Sequence, residues 1–254
     1  MRPYLLKETN WKNVQTQKYE VAVIPWGATE AHNYHLPYGT DVIETNYIAS
    51  KSAEAAWNKG SKIISLPVIP FGVNSTQLDI PLTINMNQST QMMVLIDIIS
   101  SLVKHKINKI VILNGHGGND FKQIIRELYL KFPGTFICQL NWFQSVNPGN
   151  YFEDIGEHAG EWETSIIMKI APELVLPLNE AGEGKNKKLK FKASDEKWVW
   201  APRPWTKITK DTGIGNPAKA TPEKGERYLN DVISKISGFF MDLSNTKLED
   251  LYIN

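Results

Sequence analysis

Short runs rich in β-branched residues alternate along the chain with longer stretches in which apolar residues recur every three or four positions. The short runs predict strands at Glu20–Ile24, Lys62–Pro67, Lys109–Leu113 and Thr135–Leu140. The longer stretches predict helices at about Glu44–Lys59, Gln88–Lys106 and Phe121–Phe132. Two further helices are expected over His158–Ile170 and Pro222–Leu243, the second opened by Thr221 as N-cap and Pro222 at the first helical position. Strands and helices in alternation are the pattern of βα units feeding a parallel sheet. Between the last two helices, 173–211 is irregular and carries the basic run Lys185–Lys192 and the Trp/Pro-rich stretch Trp198–Trp205. A segment so long without regular structure is uncommon in a compact domain unless it has a function or is disordered, and a lid or a subunit contact would both suit it.

Composition narrows the classes. With 254 residues, 42% of them hydrophobic, the chain can bury a large core without disulfides, and no repeat or shift in composition divides it, so residues 1–254 are expected to form a single domain. Its 28 basic and 27 acidic residues leave a net charge of +1, which removes the argument from charge for nucleic acid or a membrane surface as principal partner. The start MRPYLLKETNWKNV lacks a basic region followed by an apolar run, and no stretch approaches the ~18 apolar residues of a membrane span. A soluble cytoplasmic protein is the expectation. The lone cysteine, Cys138, lies in an apolar run and reads as a buried, inert thiol.

Polar residues with chemical potential gather in three clusters where strands end or helices begin, the places at which open α/β sheets build their sites. After the first strand, Glu30, His32, His35 and Asp41 fall within twelve positions. In an extended segment Glu30 and His32 project to the same side, offering a carboxylate oxygen and an imidazole nitrogen to one site, while Asp41 follows the Gly39 turn and could return to bridge two ions. The second cluster, Asn114-Gly115-His116-Gly117-Gly118-Asn119, joins a strand to a helix. Its glycines let backbone N–H groups approach a ligand, but it lacks the lysine of a P-loop and the spacing of a dinucleotide fingerprint. The third runs from Glu157 to Ser165. If it starts a helix, His158, Glu161 and Ser165 share one face and Glu163 points elsewhere. Solvated polar loops and an acidic first helical turn are the plain alternatives. Four of the five histidines lie in these clusters; the fifth, His105, reads as a solvated helix end beside Lys104 and Lys106.

Together the clusters resemble the creatininase (creatinine amidohydrolase) family. The first matches G-x-x-E-x-H-x-x-H-L-P followed by T-D, the second N-G-H-G-G-N, and the third H-A-G-E-x-E-T-S. Thr212-Gly213-Ile214-Gly215-Asn216-Pro217 adds the family's T-G-x-x-G-D/N-P segment before the last helix, so the resemblance spans about Leu5 to Asp242. It implies a three-layer α/β/α fold with a mostly parallel sheet, two divalent ions per chain (zinc, manganese or iron, zinc slightly favoured), and a homohexamer built as a trimer of dimers. Carried over by position, Glu30 and His116 would bind one ion, His32 the other, and Asp41 both. In creatininase a further carboxylate comes from within the N-G-H segment, where this chain has Gly118, so Glu161 is taken as its replacement. His158 occupies the position of the family's catalytic histidine. His35 is taken as a residue that supports the ligands or contacts substrate, and Trp142 and Gly117 as substrate contacts.

What the resemblance implies is hydrolysis of an amide-type C–N bond, cyclic amide or formamide, in a small molecule. The substrate itself is left open. Trp142 matches one of the tryptophans with which creatininase covers creatinine, but Asp154 stands where the other would be, and Asp79-Ile80-Pro81-Leu82-Thr83 departs from the family's F-P-G-T ending. A metallopeptidase of the same family, or a non-catalytic metal- or nucleotide-binding protein, are the alternatives.

Overall fold

The structure is a computed structural model and describes residues 1–253. Four parallel strands, β1 (Val21–Trp26), β2 (Ile63–Ser65), β3 (Lys109–Asn114) and β4 (Phe136–Asn141), form one sheet in the order β2-β1-β3-β4. The two central strands, β1 and β3, are buried at all six positions, which is why they read as unbroken apolar runs. Successive side chains leave opposite faces of the sheet. Val21, Val23, Val111 and Leu113 therefore enter one core, and Ile24, Trp26, Ile110 and Ile112 the other.

Five long helices cover these faces: α1 (Thr40–Trp57), α2 (Gln88–Lys104), α3 (Lys122–Lys131), α4 (Glu161–Ile170) and α5 (Pro222–Asn245). Residues of α1, α4 and α5 share the first core, while those of α2 and α3 share the second, giving three layers. Along α5, Tyr228, Leu229, Val232, Ile236, Phe240 and Leu243 form a buried stripe at helical spacing, and Thr221 caps its start by accepting from Lys224 N at 3.3 Å. At the crossing of α5 with α4 the backbones approach so closely that a Cβ on Gly225 would lie 2.1 Å from Ser165 O. β2 holds three residues rather than the six expected: Leu66 N still donates to Val23 O at 2.9 Å, but Pro25 of β1 has no N–H with which to continue the ladder.

The chain leaves β1 toward β2 on one side, then crosses to β3 on the other, so the strand order reverses between β1 and β3. Ligands of open α/β sheets sit beyond the carboxyl ends of the strands at such a reversal. Trp26 and Asn114 end these two strands side by side, and the first two polar clusters follow them directly.

Candidate metal centre

Local packing brings the clusters together. α1 begins at Thr40 rather than near Glu44, so Asp41 stands in its first turn. Gly27, just past β1, lies so close to that turn that a Cβ there would be 2.9 Å from Val42 N and 3.0 Å from the Asp41 carbonyl, and this approach sets Asp41 beside Glu30 and His32. In the second cluster the Asn114 amide folds the loop over itself. Its Oδ1 accepts from His116 N (3.2 Å) and Asn119 Nδ2 (3.0 Å), and its Nδ2 donates to His116 O (3.0 Å). His116 Nε2 then donates to Val73 O (3.1 Å), which turns Nδ1 toward the carboxylates.

Three ligand triads result among the described residues: Glu30, His32 and His158 make one, and the other two share Asp41. Glu30, Asp41 and His116 form the first of these two, with His116 Nδ1 3.0 Å from Glu30 Oε1 and 2.9 Å from Asp41 Oδ2. His32, Asp41 and Glu163 form the second, with His32 Nε2 3.2 Å from Asp41 Oδ1. Each Asp41 oxygen thus serves a different triad. His32 Nδ1 donates to Glu30 O at 3.1 Å, which leaves Nε2 as its ligating atom.

His158 adjoins both groups. Its ring lies over His32 with centroids 4.0 Å apart, Nε2 donates to Ala31 O at 2.9 Å, and Nδ1 stands 3.9 Å from Glu30 Oε1. The carbonyl accepts only, so the hydrogen is on Nε2 and the Nδ1 lone pair faces the cluster. Burial, helped by the neighbouring His32, holds this imidazole down at about 4, so it is neutral near pH 7.

The charge state of the cluster fits metal ions. Burial opposes ionisation everywhere here, yet Glu30 and Asp41 raise His116 well above its usual range, and Asp41 lifts His32 to about 9. The imidazoles in turn hold Glu30 and Asp41 below the ordinary carboxylate values despite burial. Glu163 is pushed up to about 7 by burial, against the pull of His32 and with the push of Asp41. Glu44, one turn beyond Asp41, is fully buried, neither of its oxygens has a partner, and burial together with Glu163 and Asp41 raises it well above the normal range. One N–H on His116 cannot serve two carboxylates that converge on it; a divalent cation can. Mixed imidazole and carboxylate donors suit zinc, manganese or iron and argue against calcium.

Two sequence-based expectations are corrected. Glu161 is not at the cluster. Ala159 has φ of +52° and Gly160 is extended, so the helix begins at Glu161, and His158 precedes it rather than sharing its face. The Glu161 carboxylate instead accepts from Glu153 N (2.9 Å) and Asp154 N (2.8 Å) and pairs with Lys224. Glu163, two positions on and therefore on the opposite side of the helix, supplies the carboxylate, steadied by Ala159 N. His35 is also not a cavity residue; it is buried, with Nε2 2.8 Å from Thr164 Oγ1.

The cluster forms the floor of a cavity of about 980 Å³, reached by Asp41, His158 and Glu163 and walled in part by Trp142, Gly117 and Gly118. The Trp/Pro-rich stretch closes one side. Trp205 meets the His158 ring edge-on (4.8 Å, 63°), its backbone N donates to Thr76 O (3.1 Å), and Arg203 lies over its face while bonding Glu157 at 2.7 Å. Asp154, where creatininase has a ring, is exposed and accepts from Asn216 N. An aromatic wall is present, but it comes from a distant segment. Glu44 and Gln77 escaped the sequence reading because neither lies in a cluster of ligand types, and Trp162 because it stands inside the third cluster as an apolar residue among ligand types; for Trp205 only the tryptophan density of 198–205 hinted at a wall.

The profile of the creatininase family, described as creatinine amidohydrolase, matches residues 7–240. A solved protein from Bacteroides fragilis NCTC 9343, provisionally named a creatinine amidohydrolase, shares 42% identity over the whole of both chains with a TM-score of 0.93. A solved manganese form of creatininase has the same fold at 21% identity and a TM-score of 0.79, over 96% of this chain and 99% of that one. The mycofactocin precursor peptide peptidase of Mycolicibacterium smegmatis is 27% identical over 61% of this chain, which spans only 60% of that relative's length.

Proposed function

The chain belongs to the creatininase family, and from that premise we propose that it is a metal-dependent amidohydrolase that uses two divalent ions to cleave a non-peptide C–N bond, a cyclic amide or a formamide, in a small molecule. The observation that carries the reading is the pair of ligand triads sharing Asp41, with the free Nδ1 of His158 beside them at the cavity floor. Glu30 and His116 would hold one ion, His32 and Glu163 the other, and Asp41 both. The ions would supply a water acidified to near neutrality and a Lewis acid for the carbonyl.

The rest falls to side chains. His158 Nδ1 takes the proton of the attacking water and returns it to the leaving nitrogen as the C–N bond breaks, its Nε2 held by Ala31 O so that the ring cannot turn away. Trp205 packs on that ring and excludes water from the proton path. Gly117 and Trp142 border the space in which substrate would lie.

One observation favours a second reading. Pockets of ~300–1,000 Å³ enclose drug-sized ligands, and this cavity is at the top of that range, which would also admit part of a peptide. A metallopeptidase is therefore the alternative. Hexamer assembly and a cytoplasmic location belong to the same proposal. Among the described residues no helix is long and apolar enough to cross a membrane.

Metal analysis of the purified chain is the first test, with about two zinc, manganese or iron ions per chain expected. Asp41→Ala should remove both, because both triads depend on it. Unchanged metal content in that variant would refute the shared-carboxylate centre. Screening lactams, formamides and short peptides with the loaded protein then separates amidohydrolase from peptidase, and no turnover of any class would leave a metal-binding protein.

A further inference from the structure

Gln77 lies between β2 and α2 in a loop closed by two backbone bonds, Gln77 N to Asn74 O and Ile80 N to Gln77 O, each 3.0 Å. Its side chain borders the cavity and is 3% exposed. Nε2 donates to Oε2 of Glu30, the oxygen not engaged by His116. That bond fixes the amide's orientation, since the amide N–H can donate to a carboxylate oxygen and the amide oxygen can only accept. Oε1 is left over, and it has no partner. A buried carbonyl without a donor is costly, so such a group at a cavity wall is one that a ligand should satisfy. The amide is rigid and planar. Holding Nε2 on Glu30 therefore holds Oε1 a fixed short distance away, beside the first ligand triad.

We infer that Gln77 Oε1 accepts a hydrogen bond from the substrate N–H next to the scissile carbonyl, so that the site selects amides whose nitrogen retains a hydrogen and disfavours fully substituted ones. This rests on the reading of the cluster as a metal centre. The same side chain that orients a metal ligand thereby orients the substrate, while His158 Nδ1 approaches the other Glu30 oxygen, Oε1, at 3.9 Å.

The test needs no knowledge of the natural substrate. Acetohydroxamate and N-methylacetohydroxamate chelate metal through the same two oxygens and differ in having N–H or N–CH3. Their binding to metal-loaded protein is measured by calorimetry, with metal content determined on the same samples. Unmodified protein should favour the N–H probe by about tenfold, the scale of one hydrogen bond. Gln77→Met should erase that preference, bringing the ratio of the two affinities to about one, whatever loss of the bond to Glu30 does to both affinities together. Gln77→Asn, which keeps an amide but withdraws it by one methylene, should do the same and serves if the first variant loses metal. A preference that survives in both variants, or none in the unmodified protein, overturns the assignment. Failure of both probes to bind a protein that holds metal refutes the subsite alone, whereas absence of metal refutes the centre and the subsite with it.

Discussion

Glu161 and Glu163 stand two positions apart in one helix, yet their carboxylates do opposite things, and substitution should separate them. Glu163→Gln is expected to lose about half of the bound metal and nearly all activity while the fold survives, because the second triad loses its carboxylate. Glu161→Gln should keep its metal but cost roughly 2–3 kcal/mol of stability, the scale of hydrogen bonds to a buried charge, as it weakens the bonds to Glu153 N, Asp154 N and Lys224. Metal analysis and thermal melts of the two variants decide it, and a Glu163→Gln protein with full metal would overturn the assignment. The residue types of the centre were legible in the sequence: Glu30, His32, Asp41 and His116 all come together. The choice between the two glutamates was not, because it turns on where the helix starts, and the left-handed Ala159 that delays the start carries no sequence signal. Protonation adds a second expectation at this scale. His32, near 9, and His116, raised well above its usual range by Glu30 and Asp41 against burial, are protonated in the metal-free chain at pH 7 and must lose those protons to ligate. Metal affinity should therefore rise with pH up to about 9, with about two protons released per chain at pH 7. Calorimetry in buffers of different ionisation enthalpy would detect this, and metal uptake without proton release would contradict it.

At the level of elements, the four strands could be read from their apolar runs because a sheet covered on both faces buries every position. Their ends could not, since the missing N–H of Pro25 stops the ladder to β2 while pairing with β3 carries β1 through Pro25 to Trp26. α1 begins four residues earlier than its apolar period suggests because Thr40 and Asp41, its polar first turn, belong to the site rather than to the core stripe. Helix contact, too, rests on a residue with no periodic signature. A methyl group at Gly225 would collide with the Ser165 backbone, so Gly225→Ala should force α4 and α5 apart and destabilise the fold by about 1–3 kcal/mol, the usual cost of overpacking. A chemical denaturation midpoint equal to that of the unmodified protein would show that the crossing gives way freely. The irregular segment before α5 is similarly anchored at points no pattern marks. Asn33 exchanges bonds with both backbone groups of Gly182, and Asp211 accepts from Gly184 and Gly213, so the stretch ending in Trp205 is held against the site at its ends. Trp205→Ala should therefore resolvate His158 without unfolding the domain. With its burial relaxed, the imidazole should rise from about 4 toward its ordinary value of ~6.5, as followed by histidine ring-proton NMR of the metal-free chain. No change in that titration would mean that Trp205 does not shield the ring.

For the molecule as a whole, the question is how large a substrate the fold was built to hold. The sheet and its helices could have delivered the same ligands to a shallow cleft. Instead, the chain carries Trp200, Ala201, Pro202 and Arg203 along one side and makes a half-open cavity of about 980 Å³ whose walls mix tryptophans with polar side chains such as Thr76, Gln123 and Arg203. Trp198 and Trp200 on this flap remain 71% and 84% exposed, which is surface that the proposed hexamer would be expected to use, and sedimentation showing only a 28.8 kDa species would remove that expectation. A small cyclic amide such as creatinine would contact the floor and little else. Transition-state stabilisation draws on contacts with remote parts of a substrate, so a cavity left mostly empty forfeits it. The ring that meets His158 here is Trp205, from the flap, while Asp154 faces solvent. Creatinine should accordingly be a poor substrate, with amides or formamides carrying an additional flat or apolar group favoured by at least about tenfold in kcat/KM, the worth of ~1.4 kcal/mol of extra transition-state contact. Turnover of creatinine and of N-formyl compounds of increasing size by metal-loaded protein measures this. Trp200→Ala should reduce the advantage of the larger compounds and leave the smaller unaffected. Creatinine turned over as well as the best of the larger compounds would show that the flap plays no part in substrate choice, and that the volume above the centre serves only for entry.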